Sequence, residues 1–153
     1  MDNRAVALKL ILDRLEIGDI STVDQRMEVQ KAVYLAQAAG VPLGYTYGWY
    51  IKGPYSPSLT RDYYSLLGEG VPHGTTLREA AAARVDEIGQ LMEVPIGSLD
   101  RPKRLELLAS LHYLVKASGL SRASAKKRIA TVKPHLLDNV DAGFNVLEGK
   151  NLL

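Results

Sequence analysis

The apolar positions of this chain recur mainly at three- and four-residue spacing. Leu8, Ile11, Leu12 and Leu15 make one such stripe, and Gly18 is expected to end the helix that carries them. Thr22-Val-Asp-Gln25 has the form of a capping box, in which the threonine hydroxyl accepts from an orphan N–H and the glutamine reaches back. The helix it opens places Val29, Ala32, Val33 and Ala36 on one face. It is expected to run to about Ala39, with Gly40 and Pro42 as stops.

The period then changes to two. Tyr45, Tyr47, Trp49 and Ile51 alternate with Thr46, Gly48 and Tyr50, which predicts a strand over 45–51 with Tyr45, Tyr47 and Trp49 on its inner face. Lys52-Gly53-Pro54 is expected to break it and turn the chain. Ser56-Pro57 reads as an N-cap with proline at the first helical position. Leu59, Tyr63 and Leu66 or Leu67 supply the next inner stripe, closed by Gly68 and Gly70.

Helical spacing dominates from there on. Thr76-Leu-Arg-Glu79 has the form of a second capping box, ahead of Leu77, Ala81, Val85, Ile88 and Met92. Asp100 is placed to cap a helix bearing Leu105, Leu108, Leu111 and Val115, ended by Gly119. Ser121 opens another, with Ala125, Ile129 and Val132 inward and its lysines and arginines outward. Lys133-Pro134 interrupts, and Leu136 or Leu137, Val140, Phe144 and Leu147 belong to a last helix. The pattern predicts a mainly α protein. One compact domain over 1–153 holds about seven helices around a core, with a small β element at 45–51.

Composition narrows the chemistry. The chain is 46% hydrophobic and 24% charged, enough apolar material for a real core. It has no cysteine, which excludes disulfides, thiolate metal ligands and a cysteine nucleophile. His73, His112 and His135 lack ligand spacing, so no metal site is expected, and His112 beside its helix's apolar stripe reads as structural. No phosphate loop or dinucleotide glycine motif is present, so no cofactor is expected. No apolar run is long enough to span a membrane, and a cytoplasmic protein is expected.

Catalytic signals are equally sparse. Ser56 lacks the strained turn of a serine nucleophile and serves more simply as a cap. Asp62, Glu69, Asp86 and Glu87 show no acid–base pairing. The expectation is a protein without catalytic residues, an enzyme with a site around Tyr55, Ser56 and Asp62 being the weaker alternative.

Charge is unevenly spread. Arg101, Lys103, Arg104, Lys116, Arg122, Lys126, Lys127, Arg128 and Lys133 face a single acid, Glu106, between 101 and 133. Arg101, Lys103, Arg104, Arg122, Lys126, Lys127, Arg128 and Lys133 make a candidate patch for phosphates, hence a nucleic-acid-binding regulator, or for an acidic protein. The competing reading is a solvated face balanced by Asp86, Glu87 and Glu93. The sequence pI of 8.8 and the absence of interleaved aromatics favour balance.

The aromatic stretch is the other candidate surface. Tyr50, Tyr55 and Tyr64 are expected to point outward, and a rigid aromatic turn loses little entropy on binding. Tyr50, Lys52, Gly53, Pro54, Tyr55 and Ser56 are therefore the candidate partner-binding residues.

Three segments together resemble the Panacea-domain family, also called SocA-like, and its YwgA-like relatives. They are Val29-Gln-Lys-Ala-Val-Tyr-Leu-Ala-Gln37 with Gly40, Tyr50-Ile-Lys-Gly-Pro-Tyr-Ser-Pro-Ser-Leu59, and Leu105-Glu-Leu-Leu-Ala-Ser-Leu-His-Tyr-Leu114 followed by Lys133-Pro134. Gln30-Lys31 keeps the family's Gln-Lys pair, whereas Val29 stands where the family has leucine, and the match leans to the YwgA-like branch. The resemblance implies a helical, non-enzymatic domain that works by protein binding. It implies an antitoxin that neutralises a toxin encoded nearby, or an adaptor that presents one to a protease, in toxin–antitoxin or phage-defence settings.

Overall fold

The local signals close the helix ends first. Thr22 Oγ1 accepts from the Gln25 backbone N–H at 3.1 Å while Gln25 Oε1 accepts from the Thr22 N–H at 2.9 Å, the reciprocal cap that starts α2 (Val23–Ala38). Asp100 caps α5 (Arg101–Lys116), Ser121 caps α6 (Arg122–Val132), and Ser56 with Pro57 opens α3 (Pro57–Ser65). The computed structural model describes residues 2–66 and 69–153.

Among the described residues, α1 (Asn3–Arg14), α4 (Glu79–Leu91) and α7 (Val140–Gly149) complete a set of seven α-helices, with a 3₁₀ turn at Pro134–Asn139. The sole sheet among them is an antiparallel hairpin, β1 (Gly48–Tyr50) with β2 (Gly53–Tyr55), paired Gly48 to Tyr55 and Trp49 to Pro54. The mainly α architecture expected from the periodicity is therefore the one observed.

Helices α2 and α5 are the axis of the molecule and pack on one another. α7 and α6 lie against α5, and α1 and α4 close the other side. Val29, Val33 and Leu35 on α2 and Leu105, Leu107, Leu108 and Leu111 on α5 are fully buried, each contributing roughly 1.5–3 kcal/mol by leaving water. α7 comes so close that a Cβ on Gly143 would meet Leu111 Cδ1 at 2.9 Å and Leu107 Cδ2 at 3.1 Å. Being central, α2 and α5 also bury polar groups that a one-sided helix would expose: Gln30, Lys31, Glu106, Ser110 and His112.

Several expectations are corrected. The strand predicted over 45–51 is only Gly48–Tyr50, and Gly53-Pro54 belongs to its partner strand rather than breaking the sheet. Proline is tolerated there because this is an edge, where no further ladder bond needs its missing N–H. Tyr45 is buried as expected, whereas Tyr47 and Trp49 are half-buried. The second capping box does not form: α4 begins at Glu79, with no side-chain cap. α1 ends at Arg14, ahead of Gly18, and Glu16 takes the left-handed conformation at φ 59°. Val132, expected inward, is 45% exposed, because the chain leaves α6 there. The predicted roles of Leu67 and Gly68 lie outside the described residues.

Candidate functional site: a β-hairpin held by two buried lysines

The hairpin is fastened to the helices through its carbonyls. Lys31 Nζ on α2 donates to Pro54 O at 2.7 Å, and Lys133 Nζ donates to Ile51 O at 2.6 Å. Gln30, the neighbour of Lys31, grips Ser56, two residues beyond Pro54, at both backbone groups. Its Nε2 donates to Ser56 O at 3.0 Å, and its Oε1 accepts from Ser56 N at 2.9 Å. Gln30-Lys31, Gly53-Pro54-Tyr55-Ser56 and Lys133, far apart in sequence, thus meet in one place.

Both lysines are 1% exposed. Their counter-charge is Glu106 on α5, whose Oε2 accepts from Lys133 Nζ at 2.7 Å, while His135 Nε2 stands 3.7 Å from Oε1. Two ammonium groups therefore share one buried carboxylate. Burial pushes the Lys31 amine down to about 7, the Lys133 and Lys52 charges add to the fall, and Glu106 opposes it.

Gly53 is needed for this arrangement. Its φ of +92° is one that L side chains rarely adopt, and a Cβ there would collide with Ser110 Oγ on α5. Ser110 Oγ itself is buried without a hydrogen-bond partner among the described residues. Trp49 sits beside the same anchor, with its ring centroid 5.6 Å from Lys133 Nζ and 5.7 Å from that of Tyr113.

The hairpin's other side looks into a cavity of about 380 Å³ between the turn, α2 and α3. Tyr50, Tyr55, Tyr63, Tyr64, Met27, Val23 and Ile51 line it, together with Arg26, Gln30, Lys31, Lys52 and Thr60. Ile51 at 94%, Val23 at 56%, Tyr50 at 49% and Tyr64 at 46% exposure are four of the five large apolar residues left exposed among the described residues. They gather round this one opening. The Tyr50 and Tyr55 rings meet edge to face, 5.1 Å apart, which stiffens the rim.

Of the residues the sequence singled out, Tyr50 and Lys52 are exposed and Tyr55 is half-buried, all lining the cavity. Gly53, Pro54 and Ser56 are buried, so they shape the hairpin instead of facing outward. The basic block is dispersed. Lys133, expected on its outer face, is in the core because Glu106 and Ile51 O receive it there. Arg101 pairs with Glu28 and Glu93, Arg122 with Glu148 and Lys126 with Asp141. Arg104 donates to the carbonyls of Leu99 and Met92. Lys103, Lys127 and Arg128 are exposed.

Tyr55, Ser56 and Asp62 face separate partners. The Tyr55 hydroxyl meets Thr60 Oγ1 at 2.6 Å, Ser56 Oγ caps Leu59 N at 3.4 Å, and Asp62 Oδ2 accepts from Tyr45 at 2.7 Å and Arg4 at 3.2 Å. His112 Nδ1 is bonded to the Tyr34 hydroxyl at 2.8 Å, the structural place expected of it.

Lys31 and Glu106 were missed as site residues. A signal was present for Glu106, the single acid among nine bases between 101 and 133, set within the apolar stretch Leu105–Leu108 where a charge demands a partner. The fold and site define a small helical domain that displays an aromatic hairpin. The chain matches no protein-family model and no curated protein.

Proposed function

We propose that this domain is a protein-binding module, antitoxin-like or adaptor-like, that docks a partner on the hairpin and its cavity. The observation that carries this reading is the gathering of Ile51, Val23, Tyr50 and Tyr64 at one opening on an otherwise well-buried molecule. An isolated exposed isoleucine is ordinary, but a cluster of large apolar groups round a concavity marks an interaction site. The buried lysines support it. They hold the turn in one conformation, so little ordering is lost when a partner docks. Binding with no chemical step also fits the separate engagement of Tyr55, Ser56 and Asp62. The resemblance to Panacea-domain antitoxins points the same way, to a cytoplasmic protein partner encoded nearby.

Co-expression with the products of adjacent genes tests it. A stable complex should form, with rescue where the neighbour is toxic, and Ile51→Asp should abolish it without lowering the melting temperature. Absence of any complex, or a complex indifferent to Ile51→Asp and Tyr50→Ala, overturns the reading.

A further inference from the structure

The cavity has a chemical character beyond being apolar. Its charged lining residues are Arg26, Lys31 and Lys52, and no aspartate or glutamate lines it among the described residues. Arg26 directs its Nη1 to the carbonyls of Ile20 and Ser21, which ties that nitrogen to the backbone ahead of α2. Lys52 is exposed on the turn. Lys31 is the unusual one. It lines the cavity while 1% exposed, and its ammonium has three donors but one acceptor, Pro54 O, among the described residues. A buried ammonium with donors to spare, on an apolar wall, calls for an anion.

From this charge complementarity we infer that the cavity receives the C-terminal end of a partner polypeptide, its last apolar side chain among the tyrosines and its free carboxylate on Lys31 and Lys52. A chain terminus joins a full negative charge to an apolar side chain on one and the same residue, and about 380 Å³ suits one or two side chains, not a folded segment. The inference rests on the reading of this face as a protein-docking surface.

Electrostatics supply a signature. Lys31 gives up its proton near pH 7 in the free domain, and a carboxylate beside it favours the charged form, so binding takes up a proton. Affinity should therefore fall as pH rises from 6 to 8.5, while the peptide carboxylate stays ionised throughout. The charged groups around Lys31 are Lys133 and Glu106 from the interior, Lys52 from the turn and Arg26 from α2, with His135 reaching Lys31 only through Glu106.

The test is fluorescence anisotropy on the full chain. Its probes are decapeptides with free C-terminal carboxylates and varied last residues, the same peptides amidated, and 4-phenylbutyrate as a small apolar acid. Free-carboxylate peptides ending in an apolar residue should bind, and amidation should cost about tenfold or more, the scale of a lost charge-assisted hydrogen bond. Lys31→Met should cost as much and abolish the pH dependence. Lys52→Ala, at an exposed position that leaves folding intact, should cost several-fold. Equal binding of amidated peptides, a pH dependence that survives Lys31→Met, or 4-phenylbutyrate binding as tightly as the peptides would each overturn the inference. If Ile51→Asp breaks a partner complex while amidation changes nothing, the terminus reading falls and the docking surface stands. If Ile51→Asp leaves the complex intact, both fall.

Discussion

Lys133 and Glu106 form a buried ion pair at 2.7 Å, with side chains 1% and 5% exposed, and the same ammonium holds the carbonyl of Ile51 at the tip of the hairpin. A charge pair without water is sustained by geometry and by the hydrogen bonds that use up its remaining donors and acceptors. Removing one member leaves the other stranded. Glu106→Gln should therefore cost about 3–5 kcal/mol in urea denaturation, because two buried lysines then lack a counter-charge. Replacing both members, as Glu106→Leu with Lys133→Met, should recover most of that loss. A double variant no more stable than Glu106→Gln would show that the hairpin carbonyl, not the carboxylate, is what Lys133 serves.

Lys31 makes stability depend on pH. In the unfolded chain its amine keeps a proton up to its ordinary value of 10.5, while in the folded protein burial brings the value down to about 7. Between those values the unfolded state binds more protons, so stability rises with pH; below about pH 7 both states are protonated and the burial penalty is present in full. The gain between pH 7 and 9 should be about 2 kcal/mol, read from denaturation midpoints, and Lys31→Met should flatten it. An unchanged slope in that variant would assign the effect elsewhere.

Gly53 carries two separable constraints. Gly53→Ala should lose about 1–2 kcal/mol from the positive φ alone, and more from the collision with Ser110 Oγ. In a Ser110→Ala background the collision disappears, since Ser110 Cβ stands 3.6 Å from the added methyl position. Gly53→Ala should then cost only the backbone term. Equal costs in both backgrounds would show that α5 yields to the hairpin.

Trp49 divides stability from docking. Half-buried between Tyr113 and Lys133, it should lose about 1–3 kcal/mol as Trp49→Ala, less than a fully buried ring. Ile51→Ser, at the most exposed apolar position, should move the melting temperature by no more than about 0.5 kcal/mol would. A large loss at Ile51 would mean that the turn packs in solution against something of its own chain.

Features that depend on near neighbours are written in the order of residues alone. The Thr22 cap, the Ser56-Pro57 helix start, the stripes on α2 and α5 and the position of the aromatic β element were legible, because each is set by residues within one or two turns. The outward Tyr50 and Lys52 were legible for the same reason, as residues of a turn that no helix stripe claims. The roles of Lys31, Lys133 and Glu106 were decided only by the tertiary structure. Locally, a lysine before a proline looks like surface. Whether it is buried depends on a carboxylate 27 residues earlier and a carbonyl 82 residues earlier arriving to replace its water. The false cap at Thr76 is the converse case, a correct local pattern that the start of α4 leaves unused. Charge in a chain can be read from sequence, but the dielectric around it is a property of the packed molecule, and that environment drew Lys133, expected at the surface, together with Lys31 and Glu106 into the clamp of the hairpin.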